Sequence, residues 1–206
     1  MQDIVDSFRD DKRILAWDVY NELGNIFLLT LGMPWYKKFP RLLIDFPKFR
    51  FFHIPTRKLF RKTVQWIREV DPSQPLTAGI YINHPKLNKE LIESSDIVSF
   101  HNYSSVDNLT QQVEELKQYN RPILCTEYLN RYDGSTFEDF LPVFKREKIS
   151  CFNWGLVAGK TQTIHRWEKR GNESEPEIWF HDVLRKDGTP FSEKEVELLK
   201  RMTGRT

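Results

Sequence analysis

Two glutamates, each closing an apolar run, are the residues of this chain best placed to do chemistry. Glu22 ends the stretch Ile14-Leu-Ala-Trp-Asp-Val-Tyr-Asn21-Glu22, and Glu127 ends Ile123-Leu-Cys-Thr-Glu127. A short apolar run bounded by polar residues reads as a buried strand. The carboxyl ends of parallel strands are where α/β barrels build their active sites. Two carboxylates at two such ends are the minimum equipment for cleaving a glycosidic bond: one protonates the leaving oxygen and the other attacks the anomeric carbon or activates water. Further polar and aromatic residues fall at equivalent positions. Asn21 precedes Glu22, His101 and Tyr103 follow Ile97-Val-Ser-Phe100, and Trp154 follows Ser150-Cys-Phe-Asn153. Asn21 suits a hydrogen bond to substrate, and a phenol at Tyr103 would hold the Glu127 carboxylate ionised. His101 would position hydrogen bonds in the cleft, and Trp154 would lay a flat apolar face beneath a sugar ring. Lys160, in the polar loop that follows Trp154, is a further candidate for substrate contact. Alone, each glutamate reads as a solvated strand end and Trp154 as a core residue; the ordered set outweighs those plainer readings.

That ordered set, Asn21, Glu22, His101, Tyr103, Glu127 and Trp154, resembles the clan A glycoside hydrolases. The cellulase-like family five group is the nearest pattern, and the resemblance covers most of residues 10–190. It implies a (β/α)₈ TIM barrel and a retaining hydrolase of β-linked oligo- or polysaccharides. In that reading Glu22 is the acid/base and Glu127 the nucleophile, with carboxyl groups about 5–5.5 Å apart. Asn21, His101, Tyr103, Trp154 and Lys160 would then line the substrate site. No cofactor is implied. Leu23 stands where the family often carries proline, which loosens the motif and leaves the chemistry in place. The same resemblance admits a second function, a non-catalytic carbohydrate-binding relative.

The elements that must position these residues follow from periodicity. Ile4, Val5 and Phe8 at helical spacing predict a helical segment within residues 1–12, followed by a strand over Ile14–Trp17. Pro55 opens a helix to Val70, with Phe60, Val64 and Ile67 on one face. Leu76–Ile80, Ile97–Phe100, Ile123–Thr126 and Ser150–Asn153 read as strands, with helices over 86–93 and 108–119 between them. Ser135-Thr-Phe-Glu138 and Ser192-Glu-Lys-Glu195 read as capping boxes, the second opening a helix through Met202, and Trp179–Leu184 reads as extended. These five strands correspond to strands four to eight of the barrel. Strands one to three are not found, and 206 residues fall short of the roughly 250 a complete barrel needs. The expectation is therefore one α/β domain over residues 1–206, an incomplete barrel with five parallel strands in one open sheet. Its bare edges would call for the missing amino-terminal part of the barrel as a partner, or for self-association.

Composition narrows the function classes. Lys and Arg total 31 against 29 Asp and Glu, so net charge names no partner. From Lys37 to Lys62 nine cations face a single acid, Asp45, among several aromatics. Such a stretch can mark membrane-surface or nucleic-acid contact. The plainer reading is a long loop over 23–54 with its aromatics packed on the rim, and a third is a cleft wall favouring acidic sugars. The expected partner is a carbohydrate, with no nucleic acid. No run of 18 apolar residues suggests a membrane span. The first residues lack the basic and apolar regions of a secretory leader. His53, His84, His165 and His181 show no metal-ligand spacing, so no metal is expected. Strand alternation sends Cys125 and Cys151 to opposite faces, giving two free thiols.

Overall fold

A computed structural model describes residues 1–25, 55–80, 85–167 and 174–204. From residue 26 onward, the loop expected over 23–54 lies outside them, as do His53 and His84. The chain divides into two compact units, Met1–Ser99 and Phe100–Thr206.

The first unit forms around a small apolar cluster. Helix α1, Gln2–Ser7, buries only Val5. Val5 meets Ile67 and Leu76, with Trp17, Val19, Val64 and Val70 packed around them. Ile67 and Val64 come from α2, the helix over 55–70, where Phe60, Val64 and Ile67 follow the expected i, i+4, i+7 stripe. Strand β1, Trp17–Asp18, runs parallel to β2, Leu76–Thr77, with Trp17 opposite Leu76. Helix α3 is Pro85–Ser94. Arg57 and Arg61 of α2 both pair with Glu90 of α3.

The strands of this unit are shorter than expected, and side chains take part in their bonding. The amide of Leu76 donates to the Asp96 carboxylate at 2.8 Å. Thr77 Oγ1 donates to the Ile97 carbonyl at 2.9 Å and lies 2.6 Å from Ser99 Oγ. Ile14–Ala16, expected as strand, is loop instead. A turn at Asp11 captures it: Gln74 Nε2 donates to the carbonyls of Phe8 and Asp11, and Ile14 N donates to Asp11 O. Leu15 is consequently 61% exposed.

In the second unit the sheet order is β3-β4-β5, where β3 is Val98–Asn102, β4 Ile123–Tyr128 and β5 Ser150–Cys151. β3 begins at the end of the first unit. β4 and β5 are parallel. Helix α4, Val106–Lys117, is capped by Ser105 and buries Leu109, Val113 and Leu116 on one face. Helix α5, Phe137–Glu147, buries Phe137, Phe140 and Phe144. Tyr128 of β4 stacks on Phe140 at 5.8 Å and meets Phe137 and Phe144 edge-on. Helix α6, Glu193–Thr203, starts at the expected Ser192 cap.

The architecture is thus α/β with short parallel strands. Among the described residues the strands form a two-stranded and a three-stranded sheet, where a single five-stranded sheet was expected. Two further expectations are corrected. The cap of α5 is Thr136, which accepts from Asp139 N, because Ser135 is buried and committed elsewhere: it accepts from Leu129 N at 3.1 Å and donates to Asn102 O at 3.3 Å. Cys125 and Cys151, expected on opposite faces, are register partners across β4 and β5, and both are free thiols. Burial raises the Cys125 thiol well above its ordinary range. Tyr128, also raised by burial, sits with its hydroxyl 3.9 Å from Cys151 Sγ.

Candidate functional site

In the second unit β4 presents Glu127 by anchoring its neighbour. Successive strand residues point to opposite sides. Tyr128 is locked into the α5 aromatics, so Glu127 is directed away from that helix. Glu127 is 9% exposed. Its Oε2 accepts a hydrogen bond from the Tyr103 hydroxyl at 2.7 Å and lies 3.4 Å from His101 Nδ1. A phenol bonded at this distance to a nearly buried carboxylate is a charge-assisted contact, among the stronger hydrogen bonds a protein makes. His101 is itself 3% exposed, at the end of β3. Three of the residues singled out from sequence therefore meet.

The backbone around them is held by side chains. Asn130 Nδ2 donates to the Tyr103 carbonyl at 3.2 Å and to Asp133 Oδ2 at 2.6 Å. Asn102 donates to Asn108 Oδ1 and Gln112 Oε1 and accepts from Ser104 N, which fixes the turn between His101 and Tyr103. Leu129 adopts a φ of 87°, a region that costs a residue with a side chain on the order of 1–3 kcal/mol. Both its polar groups are engaged: its N–H with Ser135 Oγ and its carbonyl with His181 Nδ1. A carbonyl only accepts, so Nδ1 of His181 carries the proton.

Tyr103 meets two rings that the sequence did not single out for this site. Trp167 lies edge-on at 5.3 Å and His181 is tilted at 5.6 Å. His181 is fully buried. No local spacing signals either residue; the only trace in the sequence is the extended reading of residues 179–184. Nearby, the buried Asp182 carboxylate accepts from Thr163 Oγ1 at 2.7 Å, and burial raises its pKa above the usual carboxylate range. Gly155, at φ 83°, passes so close that a Cβ there would sit 2.7 Å from Asp182 Oδ1.

The remaining candidates are placed as follows. Trp154 sits at a bend after β5; its amide donates to the Tyr128 carbonyl at 2.8 Å and the residue is 41% exposed. Lys160 is exposed in a turn. In the first unit Asn21 is exposed and Glu22 half-buried, in the bend after β1. Glu22 has a φ of 50°; its carbonyl accepts from Asn25 N at 2.9 Å and its Oε2 from Asn25 Nδ2.

No known protein family matches the chain by sequence, and no curated protein does. Solved structures do match in fold. The β-glucuronidase of Ruminococcus gnavus superposes on 99% of this chain with a TM-score of 0.60 at 13% identity, using 34% of its own length. β-Glucuronidase 2 of Bacteroides uniformis covers 92% at a TM-score of 0.61 and 14% identity, using 23% of its length. An agarase, AgWH50C, covers 71% at a TM-score of 0.51 and 13% identity, with 23% of its length. The chain thus spans about a third or less of these enzymes. At such identity the likeness establishes the fold: an α/β fold shared with part of these glycoside hydrolases.

Proposed function

We propose that this chain carries the catalytic glutamates of a retaining β-glycoside hydrolase, with Glu127 as nucleophile and Glu22 as acid/base. The observation that carries the reading is the Glu127 carboxylate, nearly buried and bonded to the Tyr103 hydroxyl at 2.7 Å beside His101. The fold shared with glycoside hydrolases supports it. In this mechanism a Glu127 oxygen attacks the anomeric carbon while Glu22 delivers its proton to the departing glycosidic oxygen. Glu22, now a carboxylate, then takes a proton from water. That water attacks the same carbon and frees Glu127. Tyr103 and His101 hold the nucleophile, Asn21 bonds the sugar, and Trp154 and Lys160 contact it from the loop after β5. The substrate is a β-linked sugar. β-Glucuronides are the first to try, because structures similar in fold include enzymes named for cleaving them.

The test is hydrolysis of a panel of aryl β-glycosides, the glucuronide included. Glu127→Ala should abolish turnover. Glu22→Ala should depress cleavage of substrates with poor leaving groups most, since those need the proton. Retained turnover in Glu127→Ala overturns the assignment of the nucleophile. Binding of sugars without turnover by the unaltered chain would point to the non-catalytic alternative.

A further inference from the structure

Arg131, four residues beyond Glu127, is a cation inside the second unit, with only 6% of its side chain exposed. A guanidinium has five N–H donors, and all five are used here. Nε and Nη2 donate to the two oxygens of Glu195 at 2.8 and 2.6 Å. Nη1 donates to the carbonyls of Trp179 and His181, each at 3.0 Å, and Nη2 also to that of Asp182 at 3.1 Å. The Phe191 ring lies 5.1 Å from the guanidinium carbon, and Phe191 stacks on Trp179 at 4.8 Å. Three carbonyls of one short segment and one carboxylate thus converge on a single planar group.

The two ends of this clamp differ. Glu195 belongs to the first turn of α6, a helix with no buried residue, so its docking relies on contacts such as this pair. The segment 179–182 carries His181, whose ring is bonded to the Leu129 carbonyl and packed against Tyr103 and Trp167. Tyr103 is the residue bonded to Glu127. A continuous set of contacts therefore runs from α6 through Arg131 to the carboxylate.

We propose that Arg131 is a positioning residue: by gripping residues 179–182 it sets His181 against Tyr103 and so fixes the Tyr103–Glu127 bond. The consequence for turnover rests on the hydrolase reading above. Lysine keeps the charge but offers a point donor, and it cannot hold the carbonyls and the carboxylate together.

The experiment compares Arg131→Lys and Glu195→Gln with the unaltered chain by thermal unfolding, by the His181 Nδ1 proton in NMR, and by kcat and KM on aryl β-glycosides. In both folded variants the His181 resonance should shift or vanish. In both, kcat should fall by on the order of ten- to a hundredfold, with KM changed far less, as expected when a reacting group is misplaced by a fraction of an ångström. Lowered thermal stability with an unchanged His181 resonance and unchanged kcat would overturn the inference and leave Arg131 a structural residue. If Arg131→Lys does not fold, Glu195→Gln carries the test, because α6 has no fully buried residue. If the unaltered chain cleaves no glycoside, the hydrolase reading fails. The resonance then decides the clamp alone: altered in the variants, it stands; unchanged, it falls.

Discussion

Replacing Tyr103 by phenylalanine removes its bond to Glu127. The phenol donates to Glu127 Oε2 at 2.7 Å, and the hydroxyl is the only atom the substitution removes. The ring keeps its edge-on contact with Trp167 at 5.3 Å and its contact with His181 at 5.6 Å. Glu127 is 9% exposed, so water replaces the lost donor poorly. A hydrogen bond to a charged group contributes about 1.5–3 kcal/mol. At 1.36 kcal/mol for each tenfold change, losing all of it from the transition state lowers kcat/KM by about 10- to 150-fold. The assay is kcat/KM on two aryl β-glycosides with good and poor leaving groups, alongside thermal unfolding. Attack by Glu127 belongs to the bond-breaking step of either substrate, so both should lose activity to a similar degree, and the melting temperature should fall only slightly. A kcat/KM within about twofold of the unaltered chain, well under one tenfold step, would refute the role given to Tyr103. So would a loss confined to the substrate with the poor leaving group, which is the signature expected of Glu22.

Other predictions follow from the same structure. Burial raises the Asp182 carboxyl, so its proton is held more tightly in the folded than in the unfolded state; stability should fall as pH rises from the ordinary carboxylate range through its folded value. Asp182→Asn keeps an acceptor for Thr163 and should remove that fall, and a wild-type-minus-variant melting difference that is flat across the interval would contradict the argument. At Glu90, burial pulls the pKa upward, but the bonds from Arg61 and Arg57 outweigh it and the net shift is downward. Glu90→Gln should therefore cost on the order of 0.5–1 kcal/mol near neutral pH. The difference should vanish as acid protonates Glu90 below its folded value, as denaturant unfolding at several pH values would show. Trp154→Ala, at a position 41% exposed, should weaken binding of a β-linked oligosaccharide while leaving the melting temperature nearly unchanged. A large stability loss with unchanged binding would make it a packing residue.

Elements whose pattern is local were legible from the residues alone. Pro55 and the stripe Phe60, Val64, Ile67 specify α2, because side chains four and seven apart share a helix face. The apolar run before Glu127 specifies β4, and the runs before His101 and Glu127 put both on strand ends. Local pattern also misled where a tertiary partner competed. Ser135 looked like the cap of α5, yet Leu129 N and Asn102 O claim its hydroxyl, and the cap passes to Thr136. Ile14–Ala16 looked like strand, yet Gln74, far along the chain, holds it in a loop through the carbonyls of Phe8 and Asp11. What lies behind Tyr103 was not legible in the sequence. Trp167 and His181 reach Tyr103 from segments with no periodicity, and Arg131 finds its five acceptors on residues 179–195. Such contacts depend on how distant segments pack and which buried polar groups must be satisfied, and no spacing within a single segment encodes that.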